Sequence, residues 1–469
     1  MQIAENKTVK VNLMKQYFGS SGVRGLVGKQ ITTNLAMKLG LALATYLGEG
    51  SSILIGRDAR TSGRMLEHAF VSGLLAGGCN AELIGIFPTP GVAYLTKTLK
   101  KDAGIMITAS HNPPPYNGFK FFSKNGIAFL PEMEQKLEEI LISDMFTFSN
   151  WERIGTVRST NSTSPYFFML SAFSFEKKWR VVLDPGCGAA SVVAPLVFRN
   201  VGCDVISLNA QADGHFPARQ SEPTSENLSG LMEAVSNLGA DIGIAYDGDG
   251  DRMVAIDEQG NFVPSDKLLA LFARFSLTQE ERQNREKIIA LPINTSDATD
   301  EHIRASGGKV IRTKVGDVYI SQALLKHNGI FGGEPIGAWI HPQYHLCPDG
   351  ILSSLLLLKY LDKMDSPLST LIKRVPERIK LRLKIECKNE QKSRVMEHVK
   401  KKLPDQFDTP DDILHLDGIR IDLKNGWILI RPSGTEPFVR ITAEAKEQTN
   451  AKNILEIGKK VVEEALTIV

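Results

Sequence analysis

The chain has 469 residues, 42% of them hydrophobic and 23% charged. That is ample apolar material for several cores, about three domains at roughly 150 residues each, and it excludes wholesale disorder. Lys+Arg exceed Asp+Glu by 55 − 53 = 2, which removes any bulk electrostatic case for nucleic acid or an anionic membrane.

From the first hundred residues on, a helical pattern followed by a short β-rich run recurs. The first block reads as a helix over 34–47, a strand at 52–55, a helix near 64–76 and a strand at 81–86. A periodic run at 92–99 and a short apolar run at 104–108 complete it. The pattern weakens across 143–175, where Ser, Thr and Asn are frequent and Pro165 interrupts. A second block places strands at 180–183, 204–208 and 241–246 around a helix at 227–238. A third carries a helix over 266–275 and short runs at 287–291, 309–312 and 330–332. After Ser366-Pro367 the texture changes. Residues 378–387 alternate like a half-exposed strand, further strands fall at 427–430 and 439–443, and helices at 390–402 and 449–466 accompany them. Short Ile/Val-rich runs alternating with longer periodic ones predict α/β layers with a largely parallel core. We divide the chain into three α/β domains, 1–150, 151–255 and 256–370, and a smaller α+β domain, 371–469.

The five cysteines, Cys79, Cys187, Cys203, Cys347 and Cys387, are odd in number, and no two are spaced C-x-x-C. A disulfide framework or structural zinc site is disfavoured, and a reducing cytoplasm is expected. The opening MQIAENKTVKVNLMK is too polar for a signal peptide. The most apolar stretch, 351–358, is far short of the roughly 18 residues that span a bilayer.

Four loops carry chemistry. YDGDGDR, residues 246–252, spaces Asp247, Asp249 and Asp251 two apart. In an extended segment that spacing aims three carboxylates one way, and such a set needs a cation, with hard oxygens suited to Mg²⁺. An EF-hand is the rival reading, with Glu258 at loop position twelve, but Arg252 stands where Gly is wanted and the loop follows a strand-like run. TASHNPPPYNGFK, residues 108–120, puts Ser110 just past a strand-like run, with His111 beside it and Lys120 within the same loop. It reads either as a turn capping its own backbone or as a phosphorylatable hydroxyl. RPSGTEP, residues 431–437, combines a planar donor fork, hydroxyls and a glycine; it reads either as an ordinary β-turn with an exposed Arg or as a set that suits a phosphate without being a P-loop. GGEPIG, residues 332–337, reads either as a surface turn or as a loop that offers Glu334 to vicinal hydroxyls. FGSSGVRG, residues 18–25, adds a glycine-rich turn with Arg24.

In this order, and over nearly the whole chain, these loops resemble the α-D-phosphohexomutase family of phosphoglucomutases, phosphomannomutases and phosphoglucosamine mutases. The stretch GGEPIGAWIHPQYHLCPDG, with FGSSGVRG, is most similar to the archaeal-type phosphoglucosamine mutases. The resemblance implies four domains around a central cleft, one loop from each. It implies that Ser110 carries the phosphoryl group and shares Mg²⁺ with Asp247, Asp249 and Asp251. It places Arg24, His111, Lys120 and Arg252 in the catalytic set. Glu334 becomes the sugar-hydroxyl acceptor, and Arg431, Ser433, Gly434 and Thr435 hold the distal phosphate. The implied reaction interconverts a hexosamine or hexose 6-phosphate and its 1-phosphate through a 1,6-bisphosphate. Glucosamine is the best match; phosphomannomutase/phosphoglucomutase is the alternative. The implied partners are small sugar phosphates, with no nucleic acid or membrane, on a cytoplasmic monomer or homodimer. A Mg²⁺-dependent phosphatase and a non-catalytic sensor are the rivals. The family motif often reads G-E-x-S-G-H, whereas Ile336 and Ala338 stand at its Ser and His positions, which leaves one sugar contact to be found elsewhere; His341 is the candidate. Lys120 serves as a proton shuttle if cationic neighbours lower its pKa.

Overall fold

The computed structural model describes residues 17–19, 22–279, 286–433 and 436–468. Four sheets follow one another along the chain. The first comprises β1 (Val23–Leu26), β2 (Ser52–Arg57), β3 (Asn80–Ile86), β4 (Ala103–Ile107), β5 (Tyr116–Ser123) and β6 (Val157–Ser159), in the order β1-β5-β4-β2-β3-β6. The second comprises β7 (Arg180–Asp184), β8 (Asp204–Ser207), β9 (Ile242–Tyr246), β10 (Met253–Ile256) and β11 (Phe262–Val263), ordered β11-β10-β9-β7-β8. The third is β12 (Ile288–Pro292), β13 (Lys309–Thr313), β14 (Phe331–Gly333) and β15 (Trp339–Ile340), ordered β13-β12-β14-β15. The fourth is β16 (Ile379–Glu386), β17 (Asp412–Leu414), β18 (Ile419–Leu423), β19 (Gly426–Pro432) and β20 (Phe438–Ala445), ordered β16-β20-β19-β18-β17.

The first three sheets are parallel at the centre and antiparallel toward one edge. β2 runs parallel to β3 and β4, whereas β5 runs antiparallel to both β4 and β1. β4 and β9, AGIMI and IGIAY, are buried at every position, as central strands covered on both faces must be. The fourth sheet is antiparallel throughout, and β16 alternates exposed and half-buried residues, as its sequence predicts. Two sheets overrun the sequence-based divisions. β6 pairs with β3, so the first sheet extends past residue 150, and β11 extends the second past 255. Short β6 and two-residue β11 are too brief to show a period of their own.

One buried cluster links the first three sheets, and the first sheet packs a second core of its own around Phe70, Ile105 and Phe119. Leu54 and Phe87 of the first region, Leu183 and Phe198 of the second, and Phe272, Trp339 and Leu355 of the third belong to a single buried cluster. The apolar run 351–358 lies in the helix Gly350–Met364 at its heart. The fourth sheet has its own core, built from Val395, Ile421, Ile430, Ile441 and Val462 among others. A small contact of Ile293 with Trp427 and Leu429 joins it to the third sheet. Arg420, stacked 4.2 Å from the Trp427 ring centre, donates there to the carbonyls of Ile293 and Thr295 at 2.8 and 3.0 Å. Glu444 accepts from Ser296 Oγ and the Asp297 amide, both at 2.9 Å. The five cysteines are free and buried. Among the described residues, no helix is long and apolar enough to cross a membrane.

Candidate active site

The four chemical loops leave the carboxyl ends of β4, β9, β14 and β19. In parallel α/β sheets that edge is where ligands bind, because the side chains beyond it are free of the ladder. Ser110, past β4, has φ +51°, a left-handed conformation that non-glycine residues seldom adopt. Something must hold it there. Its amide donates to Thr108 Oγ1 at 2.8 Å, and Thr108 Oγ1 donates to Asp58 Oδ2 at 2.6 Å. The Arg60 guanidinium completes the grip. Nη2 donates to the carbonyls of Ser110 and Asn112 at 2.9 and 2.6 Å, Nη1 to those of Pro113 and Tyr116 at 2.7 and 2.8 Å, and Nε to Asp58 Oδ2 at 3.0 Å. Five N–H donors thus meet five acceptors, with both side chains buried. Sequence reading passed over Asp58 and Arg60. Their signal was position: DAR follows β2 as TASHN follows β4.

The aspartates converge through a turn, not through strand alternation as the spacing suggested. Asp247 Oδ1 accepts the amides of Gly250 and Arg252 at 3.1 and 3.2 Å, which curls the loop around that carboxylate. One oxygen from each of Asp247, Asp249 and Asp251 lies within 4.8 Å of the others, and all three residues are buried. Gly248 lets this turn touch the serine loop: a Cβ there would stand 2.5 Å from the Ser110 carbonyl oxygen. Ser110 Oγ donates to Asp247 Oδ2 at 2.7 Å. Asp249 Oδ2 accepts from Thr89 Oγ1 at 2.5 Å and from Lys120 Nζ at 2.8 Å, and Asp251 Oδ2 accepts from Lys120 at 2.6 Å. Asp249 Oδ1 and Asp251 Oδ1 are buried without a hydrogen-bond partner. Orphaned hard oxygens beside a serine hydroxyl fit a divalent cation such as Mg²⁺. Burial and the two neighbouring carboxylates push Asp247 well above the ordinary range. Burial also works on Asp249, but Lys120 and Thr89 outweigh it and hold that carboxyl low.

Cations ring this acidic floor. Arg24 Nη1 donates to Asn112 Oδ1 at 3.0 Å. Arg252 Nη1 donates to Glu222 Oε1 at 3.3 Å, and the other Glu222 oxygen lies 3.6 Å from His111 Nε2. His111 Nδ1 is 3.3 Å from Ser110 Oγ. Burial, with Arg252 and Arg24 alongside, lowers the imidazole to about 2, so it is uncharged near neutrality. Glu222 was not foreseen. At Lys120 burial opposes the charge, but Asp249 and Asp251 prevail and raise its pKa above the ordinary lysine range.

One cavity of about 980 Å³ joins the loops; it is lined by Arg24, Ser110, His111, Lys120 and Arg252 at one end and by Arg431 and Ser433 at the other, with Glu334 between. Glu334 Oε1 accepts the Gly316 amide at 3.1 Å. Burial, and then the neighbouring Asp317, raise its pKa to about 7 against the pull of Arg252. Arg431 Nη1 donates to Asp417 Oδ2 at 3.3 Å, and Arg382, Lys384 and Arg440 line the same end. Lys392, also unforeseen, braces the distal loop through the carbonyls of Ser433 and Glu436, both at 2.6 Å. Gly434 and Thr435 lie outside the described residues, as do Ser20 and Ser21 of the N-terminal turn. Ile336 and Ala338 line the cavity, but His341 does not. Its Nε2 faces Ser353 Oγ at 2.9 Å, and its ring packs against Phe272 and Phe331. It is a core histidine, and the missing sugar contact is not replaced from there.

Four phosphoglucomutase/phosphomannomutase family models match the chain in order: alpha/beta/alpha domain I over residues 15–147, domain II over 165–260, domain III over 264–379 and the C-terminal domain over 383–457. A probable phosphoglucosamine mutase of Methanothermobacter thermautotrophicus is 45% identical over 441 residues, 94% of this chain and 96% of that protein. One from Pyrococcus abyssi is 43% identical over 454 residues, 97% and 99% of the two chains. The solved structure of a phosphoglucomutase/phosphomannomutase family protein from Burkholderia thailandensis matches with a TM-score of 0.86 at 25% identity, covering 95% of this chain and 97% of that one.

Proposed function

The chain belongs to the phosphoglucomutase/phosphomannomutase family, and from that premise we propose that it is a phosphoglucosamine mutase, interconverting glucosamine 6-phosphate and glucosamine 1-phosphate. The observation that carries this reading is the single cavity running from a buried serine on a carboxylate cluster to a cationic loop on another sheet. A hydrolase needs only the first end. An isomerase that moves a phosphoryl group between the two ends of one sugar needs both. The sugar assignment is supported by the relatives at 43–45% identity, which are named probable phosphoglucosamine mutases.

In this reading the resting enzyme carries phosphoserine at Ser110. The distal phosphate of the sugar sits on Arg431 and Ser433, and Glu334 accepts ring hydroxyls. The free hydroxyl of the sugar attacks phosphorus. Its P–O bond forms as the Ser110 P–O bond breaks, and the hydroxyl proton ends on the departing serine oxygen. The bisphosphate turns end for end, and the reverse transfer restores phosphoserine and leaves the isomer. A phosphoryl group in flight is metaphosphate-like, so the protein's part is positioning and charge neutralisation. Arg24, Arg252 and Lys120 supply cations for the equatorial oxygens. Asp247, Asp249 and Asp251 would hold Mg²⁺, whose chemistry is to draw charge from the serine oxygen and make it a better leaving group. His111 and Asp58-Arg60 fix the direction of the Ser110 side chain.

Coupled assays of glucosamine, glucose and mannose phosphates on one preparation test the reading. Turnover of glucosamine phosphate should exceed the others, and intact-mass analysis should find a fraction of one phosphate, absent from Ser110→Ala. A tenfold preference for glucose or mannose 1-phosphate would refute the sugar. Release of inorganic phosphate faster than isomer formation would refute the mutase.

A further inference from the structure

Four carboxylates line the cavity: Asp251, Asp317, Glu334 and Asp417. Three are engaged by the site. Asp251 accepts from Lys120, Asp417 pairs with Arg431, and Glu334 accepts the Gly316 amide. Asp317 differs. Among the described residues no ion pair or side-chain donor reaches its carboxylate, which accepts only the amides of its own first helical turn, those of Asp317 and Val318, and burial in the cavity wall raises its pKa. It opens the helix Asp317–His327, directly after Gly316, whose amide binds Glu334. An aspartate in the first turn also favours the helix dipole, but that role is equally well served from the solvent face.

We propose that Asp317 selects a 2-amino sugar by pairing with the ammonium group on C2 while the C1 hydroxyl faces Ser110. The inference rests on the phosphoglucosamine mutase reading. Neighbouring groups of the ring match neighbouring groups of the wall. With C1 at the reacting end, C2 and then C3 follow around the ring. The wall runs from Lys120 at the reacting end to Glu334, the hydroxyl acceptor. Asp317 interacts with both: Lys120 is the first charge that acts on it, and it is the first charge that acts on Glu334. Two carboxylates side by side repel each other when a neutral sugar fills the cavity. An ammonium beside them removes that repulsion and gains a charge-assisted hydrogen bond. A hydroxyl at C2 offers neither, and an N-acetyl group removes the charge altogether. Discrimination by a buried polar group that one ligand satisfies and another leaves unpaired is the stronger kind.

The test compares kcat/KM for glucosamine 6-phosphate and glucose 6-phosphate in the wild type, Asp317→Asn and Asp317→Glu. The wild-type ratio tests the substrate reading by itself: without a preference for the amino sugar, both that reading and this inference fall. Given the preference, Asp317→Asn should reduce the ratio tenfold or more, about 1.4 kcal/mol, and Asp317→Glu, which keeps the charge, should retain part of it. A merely structural role would lower both substrates together and leave the ratio alone, and that result overturns the inference. Should Asp317→Asn fail to fold by circular dichroism, Asp317→Ser gives the same ratio test. In the wild-type protein, N-acetylglucosamine 6-phosphate should compete with glucosamine 6-phosphate at least tenfold more weakly than unlabelled glucosamine 6-phosphate does. Equal competition overturns the inference without any variant.

Discussion

At one end of the cavity, the Ser110 loop leaves the first sheet and the aspartate turn the second, two sheets linked by one buried cluster; at the other, the Arg431 loop rides on a sheet whose core is separate from that cluster. The first end is wired by buried side chains that reach across the fold. Thr89, Lys120, Arg60 and Ser221 bind partners 50 to 160 residues away, at distances from 2.5 to 2.9 Å. The second end is held by a half-buried arginine on one aspartate and by one lysine on two carbonyls. The difference fits the proposed reaction. In it charge moves at the first end, where preorganised dipoles act only if they are already in place. At the second, a phosphate has only to be held and released, which the cations lining that end of the cavity can do.

Changes at the two ends should therefore produce opposite kinetic signatures. The largest effect belongs to the wired end. Ser110→Ala should lose about 10⁴-fold or more in turnover, with the melting temperature nearly unchanged. Asp249→Asn should follow it with a loss of orders of magnitude and a weakened dependence on Mg²⁺, measured by titration against a chelator. Full activity in excess chelator would break the comparison. Next is Arg60→Lys. A lysine has three donors and no planar fork, so it cannot serve five acceptors. kcat should fall about 10²-fold, as expected when reacting groups drift by about 1 Å, while KM changes little. Unfolding free energy should drop by about 3 kcal/mol, because Asp58 is left buried with a poorer partner. A variant with raised KM and intact kcat would place Arg60 in binding instead.

At the loosely held end, Arg431→Ala should raise KM by about 10- to 100-fold, that is 1.4–2.8 kcal/mol, with kcat and melting temperature close to the parent. The smallest effect is a pH dependence in the middle of the cavity. Glu334, raised to about 7 by burial and Asp317, is protonated below that pH and ionised above it. Only the ionised form accepts hydrogen bonds at both oxygens. kcat/KM should therefore rise as pH increases through about 7 and lose that inflection in Glu334→Gln. A profile unchanged by the substitution would assign the titration to another group.

Much of this was legible in the sequence, and the exceptions share a cause. β2, β4, β7 and β9 are continuous apolar runs, and the aspartate, serine, glutamate and arginine loops follow such runs directly. β5 escaped because YNGFKFFS mixes a lysine and two polar residues into a short run, yet it delivers Lys120 to the site. The partners of Lys120 were not legible because nearby cations stand out in the sequence, whereas Asp249 and Asp251 lie 129 and 131 residues away. Arg60 was missed because four of its five acceptors are backbone carbonyls, which leave no mark on residue type. His341 was misplaced because adjacency to the GGEPIG loop says nothing about the Ser353 hydroxyl that draws it inward.

The left-handed backbone at Ser110 has an evolutionary consequence. Glycine adopts that conformation freely, whereas a residue with a Cβ costs about 1 kcal/mol there. Ser110→Gly therefore relieves strain about equal to the value of the hydroxyl's hydrogen bond to Asp247. Its melting temperature should match that of the parent within the few degrees expected of a neutral change, with turnover abolished; a large loss of stability would refute this. Nothing in the folding free energy then guards the proposed phosphoryl carrier. A lineage relieved of demand for the product can drift to a silent paralogue in one step, as well folded as its ancestor.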